Sequence, residues 1–575
     1  MQTANGKIEL IINTASFPTK GVPLSKSKSK LDFVSKLKAD GIKLQVRDFA
    51  PQKKTKTKGP LSRSSQKLLA KTNVSEAEVN PWDLAHMVND QIKTNQSFVE
   101  PDFVSEFIVD NKVHGGMKNV KSAILKSESN PDDFDPDWNP HENSIWHLDK
   151  KFSQLLDARN EVMNNDDGYI TRIGHLDTGY SNHPQTPPKL SKKLQKNFVE
   201  GEDPNDATDK NIGGTLKMPG HGTGTNCILA GNIFKTADGK FNDFLGGAPF
   251  AEIIPCRISN SVVLFKASSF ARALQYLIDL NNSGTRVHAV SMSMGGVPSQ
   301  LWADIINAAY DAGITVVTAS GNNFNGLPTR KLVYPARFNR VIAACGVTYD
   351  YAPYFIKKLG EMQGNWGPQK NMGKAMAAFT PNTPWAMMNR KTISFSGAGT
   401  SSATPQIAAA AACYYKKYHN DLDKLEPWMR VEAIRNALYS TALKKVAKAE
   451  EDYNVYFGNG ILQAAAALKV PVKTIGLVKS DKDDIPFLPV LSILFKGRSP
   501  VVSQEMKMFN VELAQLVMTH EDLSKLMHNE EKDFVKLTPK RKKEFLDAVV
   551  AKKETSKKLK EFIKMNKKKL SASPK

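Results

Sequence analysis

Cysteine is scarce: Cys227, Cys256, Cys345 and Cys413 are the only four in 575 residues, with no close pairs and no metal-ligand spacing. That excludes a disulfide framework and a thiolate metal centre, and the apolar or helical surroundings of each predict free thiols. No stretch approaches the ~20 apolar residues of a membrane span. The most apolar run, residues 487–495, is short and broken by Pro489. A signal-peptide pattern is also missing, since the early apolar stretch 8–12 is short and contains Glu9. The expectation is a cytoplasmic protein, with export by a signal-independent route left open. Acidic residues are the minority, 58 against 79 Lys and Arg, for a net charge of +21. No nucleic-acid motif and no interleaved aromatic platform accompanies that charge.

What is present is a chain with 41% hydrophobic residues, enough for a core domain of ~300 residues and two smaller parts. Three short segments carry chemistry. In the first, residues 169–176 are β-prone and apolar enough for a buried parallel strand. The strand ends in Gly174-His175-Leu176-Asp177-Thr178-Gly179, which puts Asp177 at its carboxyl end, where open α/β sheets form their sites. Taken alone, this could be an ordinary Asp-Thr-Gly turn. A buried carboxylate there needs a partner.

The second segment, Gly220-His221-Gly222-Thr223-Gly224, opens a helix through residues 225–230. His221 can take a proton from a hydroxyl while Asp177 holds its other ring nitrogen. His175 and His183 read as structural. The third, Gly399-Thr400-Ser401-Ser402-Ala403-Thr404-Pro405, leads into five alanines at 408–412. Pro in a first turn and an alanine run favour a helix packed close in the centre of a domain. Ser401 then lies at that helix's N-terminus, where unpaired N–H groups favour negative charge. An N-cap role for Ser401 and Ser402 is compatible with this. A fourth segment, residues 313–323, reads as a buried strand ending in Gly321-Asn322-Asn323. Asn322 could donate its side-chain N–H to a tetrahedral intermediate, although Asn in a turn is usually turn chemistry.

The acid, the base and the nucleophile come in the order Asp, His, Ser, which separates this arrangement from two other common triad orders. With Leu245-Gly246-Gly247-Ala248-Pro249, Val290-Ser291-Met292-Ser293-Met294-Gly295-Gly296, Val333-Tyr334-Pro335-Ala336, Asn365-Trp366-Gly367 and Phe457-Gly458-Asn459-Gly460, the chain resembles the subtilisin-like serine proteases over about residues 140–470. The resemblance implies an α/β domain with a central, mostly parallel sheet and a serine endopeptidase acting on protein or peptide substrates. It implies Asp177, His221 and Ser401 as the triad and Asn322 as oxyanion donor. It also implies that Ser293, Met294 and Gly295 pair with an extended substrate by β-augmentation. Ala319, Ser320 and Gly321 would form the other wall of the pocket for the side chain before the scissile bond.

There are departures. Many relatives carry a second His three residues after the first, where this chain has Gly224. The familiar calcium ligand after His183-Pro184 should be Asp and is Gln185, a weaker ligand. No metal and no cofactor is therefore expected; calcium is possible but not supported by the sequence, and the site is not carried over. Cys227 reads as inert packing.

The remaining regions divide as 1–125, 126–144, 145–470 and 471–575. The first is α+β, with strands at 8–12 and 42–46, helices at 31–37 and 81–93, a basic loop at 53–63 and an extended segment at 97–102. It resembles a prodomain that chaperones folding and plugs the cleft, the alternative being an unrelated interaction domain. In the prodomain reading, residues 98–102 lie along the cleft and pair with 293–295, inhibiting intramolecularly. An acidic Pro/Asp linker follows, then the peptidase domain. The last region is basic and mostly helical, with Leu546, Val549, Val550, Leu559, Phe562 and Ile563 as inward faces. A solvated Lys face is favoured there over contact with nucleic acid or an anionic surface. The competing function is a non-catalytic scaffold of the same fold, binding through this tail.

Overall fold

The computed structural model describes residues 6–14, 42–49, 66–92, 97–103, 144–213, 217–262, 266–324, 329–356, 362–447, 452–485, 503–527 and 537–571. The expected helix at 31–37, the basic loop at 53–63, the linker and the apolar run 487–495 lie outside these residues, except for residue 144.

The chain begins with an antiparallel sheet of β1 (Lys7–Thr14), β2 (Leu44–Asp48), β3 (Gln66–Ser75) and β4 (Ser97–Pro101) in the order β2-β3-β1-β4. One helix, α1 (Pro81–Ile92), lies between β3 and β4 in the chain. β1 supplies a continuous apolar run in which Leu10, Ile11 and Ile12 are all buried.

The central element is a seven-stranded sheet in which every pairing is parallel. After α2 (Leu155–Asn164) come β5 (Arg172–Asp177), β6 (Lys196–Asn197), α3 (His221–Ala230) and β7 (Glu252–Arg257). These are followed by α4 (Ala267–Asn282), β8 (Ala289–Met292), α5 (Gln300–Asp311), β9 (Thr315–Ala319), β10 (Ile342–Val347) and β11 (Ala375–Phe379). The strand order is β11-β10-β9-β8-β5-β7-β6. Strands of such a sheet are covered on both faces and read as unbroken apolar runs; β8, β9, β10 and β11 are buried throughout. A hairpin of β12 (Thr383–Ala386) and β13 (Ile393–Gly397) precedes α6 (Thr400–Leu422), and α7 (Pro427–Thr441) follows it. The alanines at 408–412 are no more than 2% exposed, so α6 approaches the sheet closely, as its near absence of side-chain bulk predicts.

The C-terminal helices are α8 (Gln504–Thr519), α9 (Glu521–Leu526), α10 (Pro539–Ala551) and α11 (Lys557–Leu570). Leu546, Val549, Leu559 and Ile563 are buried in their shared core, and Val550 and Phe562 pack against it. Three of these helices open on a side-chain cap: Ser503 accepts from Met506 N, Thr538 from Arg541 N and Ser556 from Leu559 N.

The N-terminal sheet is held from two sides. Its apolar residues share one cluster with Phe270, Leu274, Leu301 and Trp302 of α4 and α5, and with Met508, Val511 and Met518 of α8. Glu100 accepts hydrogen bonds from Ser299 Oγ (3.1 Å), Gln300 N (3.1 Å) and Leu301 N (2.8 Å), at the start of α5. Asp102 accepts from Ser268 N (2.9 Å) and Oγ (2.6 Å), at the start of α4. Two carboxylates of one element thus cap two helices of another, satisfying N–H groups that have no partner within their own helix. On the far side, Trp82 Nε1 donates to Gln515 Oε1 (3.0 Å), and Gln515 Nε2 donates to the Pro298 carbonyl (2.8 Å). Glu512 accepts from Ser556 N and Oγ and faces His86 Nε2 at 3.3 Å.

One expectation is corrected here. Residues 98–102 do not lie on 293–295. Residues 98–101 pair with β1, and the acidic side chains of Glu100 and Asp102 turn to the helix starts, whose first N–H groups have no partner within their own helix.

Candidate active site

Three neighbouring parallel strands deliver the site at their carboxyl ends. β5 ends in Asp177; β8 leads into Ser293, Met294 and Gly295; β9 ends in Ala319 and leads through Ser320 and Gly321 to Asn322. His221 is the first residue of α3 and Ser401 the second of α6. Direct contacts link Asp177 to His221, Ser401 to Ser293 and Asn322 to Thr400 at this edge.

Asp177 and His221 are joined by a 2.7 Å contact between Oδ1 and Nδ1, both side chains being buried. Thr178 N donates to the same oxygen (2.7 Å), and Thr225 Oγ1, one turn into α3, donates to Oδ2 (3.1 Å). Burial alone would raise the Asp177 carboxyl, but the His221 ring beside it, their hydrogen bond, His175 and the Thr178 N–H together hold it below the usual carboxylate range. Ionised Asp177 fixes the proton of His221 on Nδ1 and leaves Nε2 as the basic nitrogen.

His175 lies behind this pair. Its Nδ1 accepts from Asn226 Nδ2 (3.1 Å), so its Nε2 carries the proton and donates to Thr225 Oγ1 (2.8 Å). Burial pushes His175 down to about 4, which keeps it neutral and makes it a structural donor. His183 is likewise structural, with Nε2 donating to the Thr392 carbonyl (3.1 Å). Sequence reasoning singled out neither Thr225 nor its link to Asp177. The spacing of four residues from His221 on one helix was the available signal.

Close approach explains the glycines around His221. A Cβ on Gly222 would stand 2.1 Å from the Gly179 carbonyl, so only glycine lets α3 meet the Asp177 turn. A Cβ on Gly224 would stand 1.9 Å from Trp385 Cε2. The indole of β12 fills the space above Gly224 and meets the His221 ring edge-on, with centroids 5.5 Å apart. The space that Gly224 leaves is thus taken by Trp385, from a different part of the chain.

Ser401 and the segment after β8 clasp each other: Ser401 Oγ donates to the Ser293 carbonyl (3.3 Å), and Ser293 Oγ donates to the Ser401 carbonyl (3.0 Å). Asn322 Oδ1 accepts from Thr400 N (3.0 Å). That contact settles the amide's orientation and turns Nδ2 toward the start of α6, near Gly399. Thr400 Oγ1 in turn accepts from Gly321 N (3.2 Å).

At the position of the family's calcium ligand stands the neutral amide of Gln185. Gln185 Nε2 donates to the Ile233 carbonyl (3.3 Å), and only its Oε1 is buried without a hydrogen-bond partner. Nearby, the Phe244 and Gly246 carbonyls and the Asp243 carboxylate converge on the buried guanidinium of Arg159. A calcium cage needs six to eight oxygens facing the cation, and these three face a protein cation instead. Among the described residues no cluster of three or more His, Cys, Asp or Glu could hold a metal ion. Among them, too, no helix is long and apolar enough to cross a membrane. All four cysteines are buried free thiols, and burial pushes Cys227 up to about 12, so it is inert beside the site.

A parallel α/β sheet with these groups at one edge defines the serine-type endopeptidases with the Asp, His, Ser order. The chain belongs to the subtilase family, whose family model matches residues 170–460. It is similar to subtilisin Savinase of Lederbergia lenta, at 28% identity over 306 residues, covering 52% of this chain and 92% of the relative. It is similar to an alkaline protease of Shouchella clausii at 28% identity, with 52% and 65% of the two lengths covered. Subtilisin E of Bacillus subtilis is 24% identical over 302 residues, covering 52% of this chain and 66% of its own length.

Proposed function

We propose that this serine endopeptidase hydrolyses peptide bonds through Asp177, His221 and Ser401, with Asn322 completing the oxyanion site. The observation that carries the reading is the buried Asp177–His221 contact at 2.7 Å on the same sheet edge as Ser401. In the reaction the Ser401 hydroxyl turns from the Ser293 carbonyl, gives its proton to His221 Nε2 and attacks the peptide carbonyl. Asp177 stabilises the imidazolium. The oxyanion is met by Asn322 Nδ2 and by the Ser401 N–H in the first turn of α6. His221 then protonates the leaving amine, and a water activated by the same ring releases the acyl group. Residues 293–295 and 319–321 flank the substrate on either side.

The scaffold alternative needs none of this arrangement, and a buried carboxylate kept without use costs stability. Ser401→Ala separates the two: peptide cleavage by the full chain should vanish while its circular dichroism is unchanged. Cleavage retained at the wild-type rate would remove Ser401 from the reaction.

A second reading concerns residues 1–125. The caps that Glu100 and Asp102 place on α5 and α4 favour a prodomain-like element that assists folding of the peptidase, over an unrelated interaction domain.

A further inference from the structure

A line of hydrogen bonds ends on the oxygen of Asp177 that His221 does not use. It starts at Asn226 Nδ2, which donates to His175 Nδ1 (3.1 Å). His175 Nε2 donates to Thr225 Oγ1 (2.8 Å), and Thr225 Oγ1 donates to Asp177 Oδ2 (3.1 Å). All four residues are buried, on the neighbouring elements β5 and α3. The direction of the line follows from its end. Ionised Asp177 can only accept, and a carboxylate oxygen holds a donor more strongly than a neutral acceptor does. The other acceptors near Thr225 Oγ1 are the carbonyls of His221 (3.2 Å) and Gly222 (3.4 Å), both neutral. With its proton on Oδ2, the Thr225 hydroxyl has only lone pairs left for His175, which places the His175 proton on Nε2. His175 Nε2 itself stands 3.9 Å from Asp177 Oδ2, too far to donate directly. Further charged groups face the pair across Thr178. Asp209 accepts from Thr178 Oγ1 (2.9 Å) and Gly220 N (2.8 Å), and Arg257 joins Asp209 (3.8 Å) to Glu202 (2.8 Å).

We propose that Thr225 and His175 are positioning residues that moderate the hold of Asp177 on the His221 imidazolium, and so set the pH at which this peptidase gains its base. A hydroxyl that donates to Oδ2 draws carboxylate charge away from Oδ1, the oxygen that faces His221 Nδ1. The imidazolium is then held less tightly and gives up its proton at a lower pH. His175 acts one step further back. Engaged by Asn226, it occupies the lone-pair side of the hydroxyl and keeps the hydroxyl proton turned to Asp177. The proposal rests on Asp177 and His221 as the acid and base of the reaction, and adds two residues that act through Asp177 rather than on the substrate.

The test is the pH dependence of kcat/KM for the full chain on one peptide p-nitroanilide, whose acid limb reports the free base between about pH 5 and 9. Thr225→Val keeps the outline of the side chain and removes the hydroxyl. Its acid limb should move up by about half a unit to one unit, the size of one hydrogen bond to a carboxylate. His175→Leu should move the limb the same way by a smaller amount, and Thr225→Ser should restore the wild-type limb. Where a variant cleaves the peptide too slowly, its rate of labelling by diisopropyl fluorophosphate, which needs no turnover, reads the same limb. A Thr225→Val limb that stays in place or moves down, whatever happens to the rate at its plateau, would leave Thr225 a structural residue and overturn the proposal. A Thr225→Ser limb displaced as far as that of Thr225→Val would overturn it too. No cleavage by the wild type, together with no fluorophosphonate adduct on Ser401, would overturn the reading of Asp177 and His221 as well.

Discussion

At the residue scale, Asn322 shows how one side chain acquires direction. Its Oδ1 is engaged by Thr400 N at 3.0 Å, and that bond aims the donor end of the amide at the start of α6. Asn322→Ala should lower kcat by about 10²–10³ and leave KM nearly unchanged, because the lost donor acts mainly in the transition state. Steady-state kinetics on a peptide substrate checks this; a large KM effect at constant kcat would mean that Asn322 binds the ground state. The chemistry-bearing residues were legible in the sequence because each sits in a short local pattern: a strand ending in Asp177, glycines around His221, Pro405 and alanines after Ser401. Residues that act across the chain were not. Trp385 fills the space over Gly224, 161 positions away in sequence. Val333 reaches between Gly295 and Gly321, and Arg159 gathers the carbonyls of Phe244 and Gly246. No local pattern marks a side chain that works only once distant backbone arrives.

At the element scale, strand and helix placement followed the sequence well. The strands near 8–12 and 42–46 and the helix near 81–93 recur as β1, β2 and α1, with bounds shifted by one to a few residues. What β4 does was misjudged, because its role depends on the N-termini of α4 and α5, whose donors lie 166 to 201 residues further on. These caps have a pH signature. Burial pushes Glu100 up to about 7, against the three hydrogen bonds that lower it. Its pKa in the docked state exceeds the ordinary 4.5, so docking favours the protonated form. The stabilisation is full below about pH 4.5 and is lost as pH rises through about 7, a change of on the order of 3 kcal/mol. Amide-exchange protection at Gln300 and Leu301, corrected for intrinsic rates, should therefore fall between pH 5 and 8 in the wild type and stay flat in Glu100→Gln. Equal pH dependence in the two would assign the effect to other groups.

At the scale of the whole molecule, the N-terminal sheet is packed between the peptidase helices α4 and α5 on one side and α8 on the other, so the three regions share apolar core and should unfold together. Three buried histidines set the acid limit of that assembly. Burial pushes His147 and His288 down to about 3 and His175 to about 4. Each is neutral when folded and takes up a proton when unfolded below its ordinary value near 6.5. Their contribution is complete above about pH 6.5 and is lost as pH falls toward 4. The urea midpoint should drop across that window, and His288→Gln should shallow the slope; a midpoint flat from pH 7 to 4 would contradict this. The central claim, that Ser401 is the nucleophile activated by His221 and Asp177, is tested most directly by treating the full chain with diisopropyl fluorophosphate and locating the adduct by peptide mass spectrometry. The account predicts one phosphoryl adduct on Ser401, lost in Ser401→Ala and formed far more slowly in His221→Ala. An adduct on Ser402, or no adduct on the folded wild-type chain, would contradict it.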